Sequence, residues 1–96
     1  MEQNDIINLL RLFKKNNQDK YTIKKLGIFG SASRGELHQL SDIDVVVELG
    51  KPDLFHIIGI KQDLEEQLNR SVDVIRYRKK MNQFLKRRIE KDAVYV

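Results

Sequence analysis

Apolar residues recur along this chain at two periods. Over residues 4–15, Ile6, Leu9, Leu10 and Phe13 return at helical spacing. That predicts an amphipathic helix capped by Asn4 or Asp5 and ended by the polar run Lys14–Asn17. Residues 22–29 (TIKKLGIF) change to β-branched and aromatic residues and predict a first strand, with Gly27 marking a close backbone approach. Residues 42–49 (DIDVVVEL) predict a second strand. Period two sets Ile43, Val45 and Val47 on one face and Asp42, Asp44, Val46 and Glu48 on the other. Val46 interrupts the polar face, so the strand should be covered on both sides, with its carboxylates at an open mouth. Residues 53–69 return to the helical period through Leu54, Ile57, Ile60, Leu64 and Leu68, with Pro52 suited to the first turn. Lys61, Asp63, Glu65 and Glu66 form its solvated face. Residues 71–77 (SVDVIRY) read as a third strand and 80–92 as a last helix with Met81, Phe84, Leu85 and Ile89 inward. Residues 93–96 either add an edge strand or pack as a tail.

The order is therefore α-β-α-β-α-β-α, an α/β arrangement with a small mixed sheet flanked by helices, expected as one domain over residues 1–96. Between the first two strands runs GSASRGELHQLSDID, Gly30 to Asp44. It predicts a turn over 30–35 and a short helix around 36–40, with Ser31 or Ser33 as its cap. Gly30 ends one strand where Asp42 begins the next, so those strands run antiparallel if they are neighbours. The long helix after the second strand allows a parallel crossover to the third. Asp73 then lands at the same end of the sheet as Asp42 and Asp44.

Composition narrows the setting. The chain has 96 residues, 33% of them charged, and a net charge of +4, which fits an anionic ligand but does not by itself indicate a DNA-binding protein. It has no cysteine, hence no disulfide and no thiolate metal site, in keeping with an expected cytoplasmic location. No apolar run approaches the roughly 20 residues of a membrane span, and the first residues lack the order of a signal peptide.

Candidate chemistry lies in that same stretch. A Gly-Ser turn lets backbone N–H groups approach phosphate oxygens. Two carboxylates two apart on a strand share a face and can grip a hard divalent cation. Together they suggest nucleotide chemistry. Each residue also has a plainer reading. Asp42 can be a turn residue, although Asp44 among valines then lacks a reason. Asp73 can pair with Arg76. Arg34 can contact phosphate or pair with Glu36. His38 and His56 read as surface residues, Glu48 as too deep along the strand to join a metal site, and Tyr77 and Tyr95 as packing. The basic runs 76–80 and 86–88 read as solvated faces that could also meet an acidic partner or nucleic acid.

Gly30-Ser31, a spacer of ten residues, Asp42-Ile43-Asp44 and a later strand acid, Asp73, together resemble the signature of the minimal nucleotidyltransferases of the DNA polymerase β-like superfamily. Ile28-Phe29, Arg34-Gly35, Ser41 and the ending Ile89–Val96 also look like family usage; Ser33 departs from the alanine of many relatives. The resemblance covers nearly the whole chain and implies the nucleotidyltransferase fold. It further implies transfer of AMP from ATP, with two Mg²⁺ ions held by Asp42, Asp44 and Asp73, and with Gly30, Ser31 and Arg34 toward the triphosphate. Similar proteins are antitoxins that adenylylate a tyrosine of a HEPN-domain ribonuclease toxin, which would make such a toxin the partner here. Alternatives are an antitoxin acting mainly by binding and a small-molecule transferase of the aminoglycoside type, whose pocket dimerisation could complete. A nucleic-acid module ranks last.

Overall fold

In the computed structural model, which describes residues 2–36 and 41–96, helix α1 spans Gln3–Asn17 and strand β1 Ile23–Phe29. Strand β2 follows at Ile43–Leu49, helix α2 at Leu54–Leu68, strand β3 at Val72–Arg76, helix α3 at Gln83–Asp92 and strand β4 at Val94–Tyr95. The helix expected around residues 36–40 falls on residues 37–40, outside the described residues, as does His38.

Helix ends refine the sequence reading. Asp5 does not cap α1 but returns a bond to the cap: its Oδ2 accepts the Glu2 N–H at 3.2 Å, so the helix starts earlier than expected. Asp53 caps α2 by accepting the Phe55 N–H at 2.8 Å, which leaves Pro52 outside the helix rather than in its first turn. Asn82 caps α3 through the Leu85 N–H at 3.0 Å, three residues later than the apolar period suggested. Phe84, expected inward, is 72% exposed, because the helix begins at Gln83 and only Leu85 and Ile89 reach the sheet.

The sheet has the order β3-β2-β1-β4. β1 runs antiparallel to β2, β2 parallel to β3, and β4 antiparallel to β1. The tail thus supplies a fourth strand. A Cβ at Gly27 would run into the Val94 carbonyl and Tyr95, which is the close approach the glycine foretold. The Val96 N–H continues the ladder to the Leu26 carbonyl at 2.9 Å.

Both faces of β2 are covered. Ile43, Val45 and Val47 pack with Ile6, Leu10 and Phe13 of α1 and Ile60, Leu64 and Leu68 of α2. On the opposite face Phe29 and Val46 pack against Ile89 of α3. Burying each such side chain contributes about 1.5–3 kcal/mol. His56, expected at the surface, is half-buried, with its ring edge-on to Tyr21 at 5.8 Å.

Candidate active site

Register decides which residues meet. Phe29 stands opposite Asp44, and Asp44 opposite Asp73. Paired positions share a face, so Phe29, Asp44 and Asp73 form one row across three strands, on the α3 side. The next row is Gly27, Val46 and Ile75. Ile89 of α3 lies on Val46 and Phe29, and the acids stand just past that cover. Val46 therefore closes the core while Asp44, two residues earlier, is half-buried; Asp42 and Asp73 are exposed.

The chain leaves β1 through a 3-10 turn at Gly30–Ala32. Gly30 has φ +67°, and a Cβ there would collide with Asp44 Oδ2. The glycine is required twice, for a left-handed backbone and for contact with the carboxylate. The turn is closed from within. Ser33 Oγ donates to the Gly30 carbonyl at 2.8 Å, the Glu36 N–H to the Ser31 carbonyl at 2.9 Å, and Gln3 Nε2 to the Ser33 carbonyl at 2.8 Å. Ser33 thus bonds back to the turn; the helix it was expected to cap lies outside the described residues. Ser31 is half-buried, and its side chain enters no hydrogen bond among the described residues.

Arg34 bridges two carboxylates, Nε to Glu36 at 3.2 Å and Nη1 to Asp92 at 2.8 Å. The pair with Glu36 was one of the two readings the sequence allowed; Asp92, at the end of α3, was not foreseen. Asp73 makes no ion pair among the described residues, Arg76 included. Glu48 sits apart from the acids, lining a cavity with Tyr77, Glu90 and Tyr95. A larger surface cavity, about 350 Å³, lies between the start of α2 and Arg76 and Arg78, at the far end of the sheet from the aspartates.

The electrostatics of Asp44 follow from its place. Burial pushes its carboxyl above the usual carboxylate range, and the neighbouring charge of Asp73 adds to this. Arg88 offsets part of the shift, Asp42 raises it further and Arg34 opposes it. Asp44 therefore feels two neighbouring carboxylates at the open end of the sheet, which Arg88 and Arg34 offset only in part. Among the described residues no group of three or more aspartate, glutamate, histidine or cysteine side chains is placed to hold a metal ion. The adjacent pair Asp44 and Asp73 is still compatible with Mg²⁺, which takes one or two carboxylates and fills its remaining positions with water and substrate phosphates.

Arg88, read from sequence as part of a solvated run, is exposed but stands next to inward Ile89, where its charge partly offsets the rise at Asp44. The face of α2 read as solvated is also engaged: Asp63 accepts the Tyr21 hydroxyl at 2.6 Å, and Lys61 and Glu65 reach β3.

Comparison with known proteins agrees with this geometry. The nucleotidyltransferase domain family matches residues 10–96. A Methanocaldococcus jannaschii protein assigned as a protein adenylyltransferase is 37% identical over 95 residues, covering 96% of this chain and 95% of the relative. Among solved structures, a minimal nucleotidyltransferase superposes with a TM-score of 0.80 at 22% identity, over 98% of this chain and 95% of that one, a likeness of fold. A toxin–antitoxin structure with AMP-PNP reaches 0.72 at 26% identity, over 99% and 72%. A tri-AMPylated Shewanella oneidensis HEPN toxin in complex with its MNT antitoxin reaches 0.71 at 19% identity, over 97% and 70%.

Proposed function

This chain belongs to the nucleotidyltransferase domain family, and from that premise we propose that it transfers AMP from ATP to a tyrosine hydroxyl of a partner HEPN toxin, acting as the antitoxin of the pair. The observation that carries the reading is the row of Asp44 and Asp73 on adjacent strands with Gly30 pressed against Asp44. The protein adenylyltransferase assigned in M. jannaschii and the AMPylated Shewanella toxin supply the acceptor class.

In the transfer the acceptor oxygen attacks the α-phosphorus, the bond from that phosphorus to the bridging oxygen breaks, and pyrophosphate leaves. Asp42, Asp44 and Asp73 would hold Mg²⁺, which supplies charge neutralisation for the attacking and leaving oxygens. Gly30 and Ser31 hold the β- and γ-phosphates, the first by exposing backbone and the second through its accessible hydroxyl. Asp73, exposed at the sheet edge, faces the incoming hydroxyl and takes its proton. Arg34 reaches the phosphates by exchanging a carboxylate partner for them.

The test is incubation with ATP, Mg²⁺ and a candidate HEPN-domain partner protein, read by intact mass. The wild type should add AMP to the partner, and Asp42→Asn/Asp44→Asn should add none while still forming the complex. A complex that neutralises the toxin equally well with that variant would leave binding, not transfer, as the function.

A further inference from the structure

Strand β3 carries the third acid, and it is the open edge of the sheet. An edge strand presents unpaired N–H and C=O groups on its outer side. At Val72, immediately before Asp73, both are taken by one helix. Glu65 Oε2 accepts the Val72 N–H at 3.0 Å, and Lys61 Nζ donates to the Val72 carbonyl. Lys61 and Glu65 stand one turn apart on α2 and pair with each other at 3.2 Å. The inner side is joined as well, where the Ile43 N–H donates to the Ser71 carbonyl at 3.0 Å. Across the gap, Arg70 Nη2 donates to the carbonyl of Ser41, the residue before Asp42, at 2.7 Å. The backbone beside two of the three acids is thus held by three side chains from α2 and the turn that follows it.

We propose that Lys61, Glu65 and Arg70 are positioning residues that set the spacing of Asp73 from Asp42 and Asp44, and so the fit of this site to its metal–nucleotide ligand. The inference rests on the nucleotidyl-transfer reading above. An exposed Lys–Glu pair one helical turn apart contributes only a few tenths of a kcal/mol to stability. This pair is placed so that its two charges reach the two outward groups of one residue, the neighbour of Asp73. The exposed acid has no ion pair among the described residues to hold it, so its position depends on its backbone. Groups that orient metal ligands from behind change metal affinity by about 10- to 100-fold when removed.

The experiment counts Mn²⁺, a paramagnetic substitute for Mg²⁺, bound by the full chain with α,β-methylene ATP, an analogue that cannot release pyrophosphate. Electron paramagnetic resonance reads the bound metal, and amide hydrogen exchange reads Val72. Wild type should take up Mn²⁺ with two affinities. Lys61→Ala/Glu65→Ala should exchange faster at Val72 and weaken the Asp73-dependent affinity by ~10-fold or more. Arg70→Ala should weaken uptake likewise. Glu65→Gln, which still accepts the Val72 N–H, should restore affinity to within a few-fold, and Gln62→Ala on the exposed side of α2 should change nothing. If the double variant does not fold, Glu65→Ala alone, which frees the Val72 N–H, makes the same comparison. Faster exchange at Val72 with unchanged Mn²⁺ affinity would overturn the proposal and leave these residues as edge protection. No Mn²⁺ uptake by wild type, or the same uptake by Asp73→Asn, would refute the metal-site reading itself and this inference with it.

Discussion

Gly30 and Asp44 constrain each other. The left-handed backbone at Gly30 costs other residues about 1–2 kcal/mol, and a Cβ there would displace the Asp44 carboxylate. Gly30→Ala should therefore lower the melting temperature and cut AMP transfer further than the stability loss explains, a comparison of melting and initial rates at a temperature where both proteins are folded. Asp44 offers a test with the opposite sign for stability. Its carboxyl is raised by burial and by Asp73, so in the folded chain it binds its proton more tightly than in the unfolded chain. Keeping it ionised costs stability above that range, and the cost fades as pH falls through it. Asp44→Asn should melt higher than wild type at pH 7, with the difference shrinking toward pH 4, while transfer is lost. Adding Mg²⁺ and ATP should raise the melting temperature of wild type and not of the variant.

At the scale of elements, α3 links the core to the site. Ile89 is fully buried against Phe29 and Val46, and one turn on, Asp92 holds Arg34 at 2.8 Å. Ile89→Ala should cost about 2–5 kcal/mol, which a denaturant titration reads directly. Asp92→Asn keeps the packing and removes the charge that draws Arg34 toward α3. It should change stability little and alter KM for ATP more than kcat, the pattern expected if Arg34 meets the phosphates. An unchanged KM would leave Arg34 with a structural role.

For the whole molecule, the sheet is closed on one side by the chain's own end. β4 covers β1, and Lys14 Nζ donates to the Val96 carbonyl at 3.0 Å, tying α1 to that end. Removing residues 93–96 would uncover the edge of β1 with Leu26 and Ile28 behind it. The shortened chain should melt lower and self-associate, since an uncovered edge pairs with other chains; light scattering at several concentrations checks this. Among the described residues no helix is long and apolar enough to cross a membrane. The ends of the sheet differ in chemistry, with carboxylates and the glycine turn at one and exposed Leu54, Phe55 and Phe84 toward the other.

Much of this was legible from local pattern. Period two in residues 42–49 placed Asp44 on the face of Val46, and helical period found Ile6, Leu10, Ile60, Leu64 and Ile89. The chain direction implied by Gly30 and Asp42 placed Asp73 at the mouth. These features depend on alternation and on connection length, which a sequence carries explicitly. What sequence left open depended on partners distant along the chain. Phe84 read as inward because period marks a stripe and not where a cap starts the helix. His56 read as exposed because the Tyr21 ring reaches it only across the fold. Lys61, Glu65 and Arg88 read as solvated because a long charged side chain is assigned by default to water, and only the fold shows which backbone or carboxylate it meets. By itself the sequence determined the three long helices, the first three strands and the faces of β2, since these follow from spacing along one chain, whereas it left the tail open between a strand and a loose end. Tertiary structure decided that Asp44 stands in register with Asp73, that Gly30 presses on Asp44, and that α2 holds the edge beside Asp73. Those are distances between segments, and they exist only once the strands have paired.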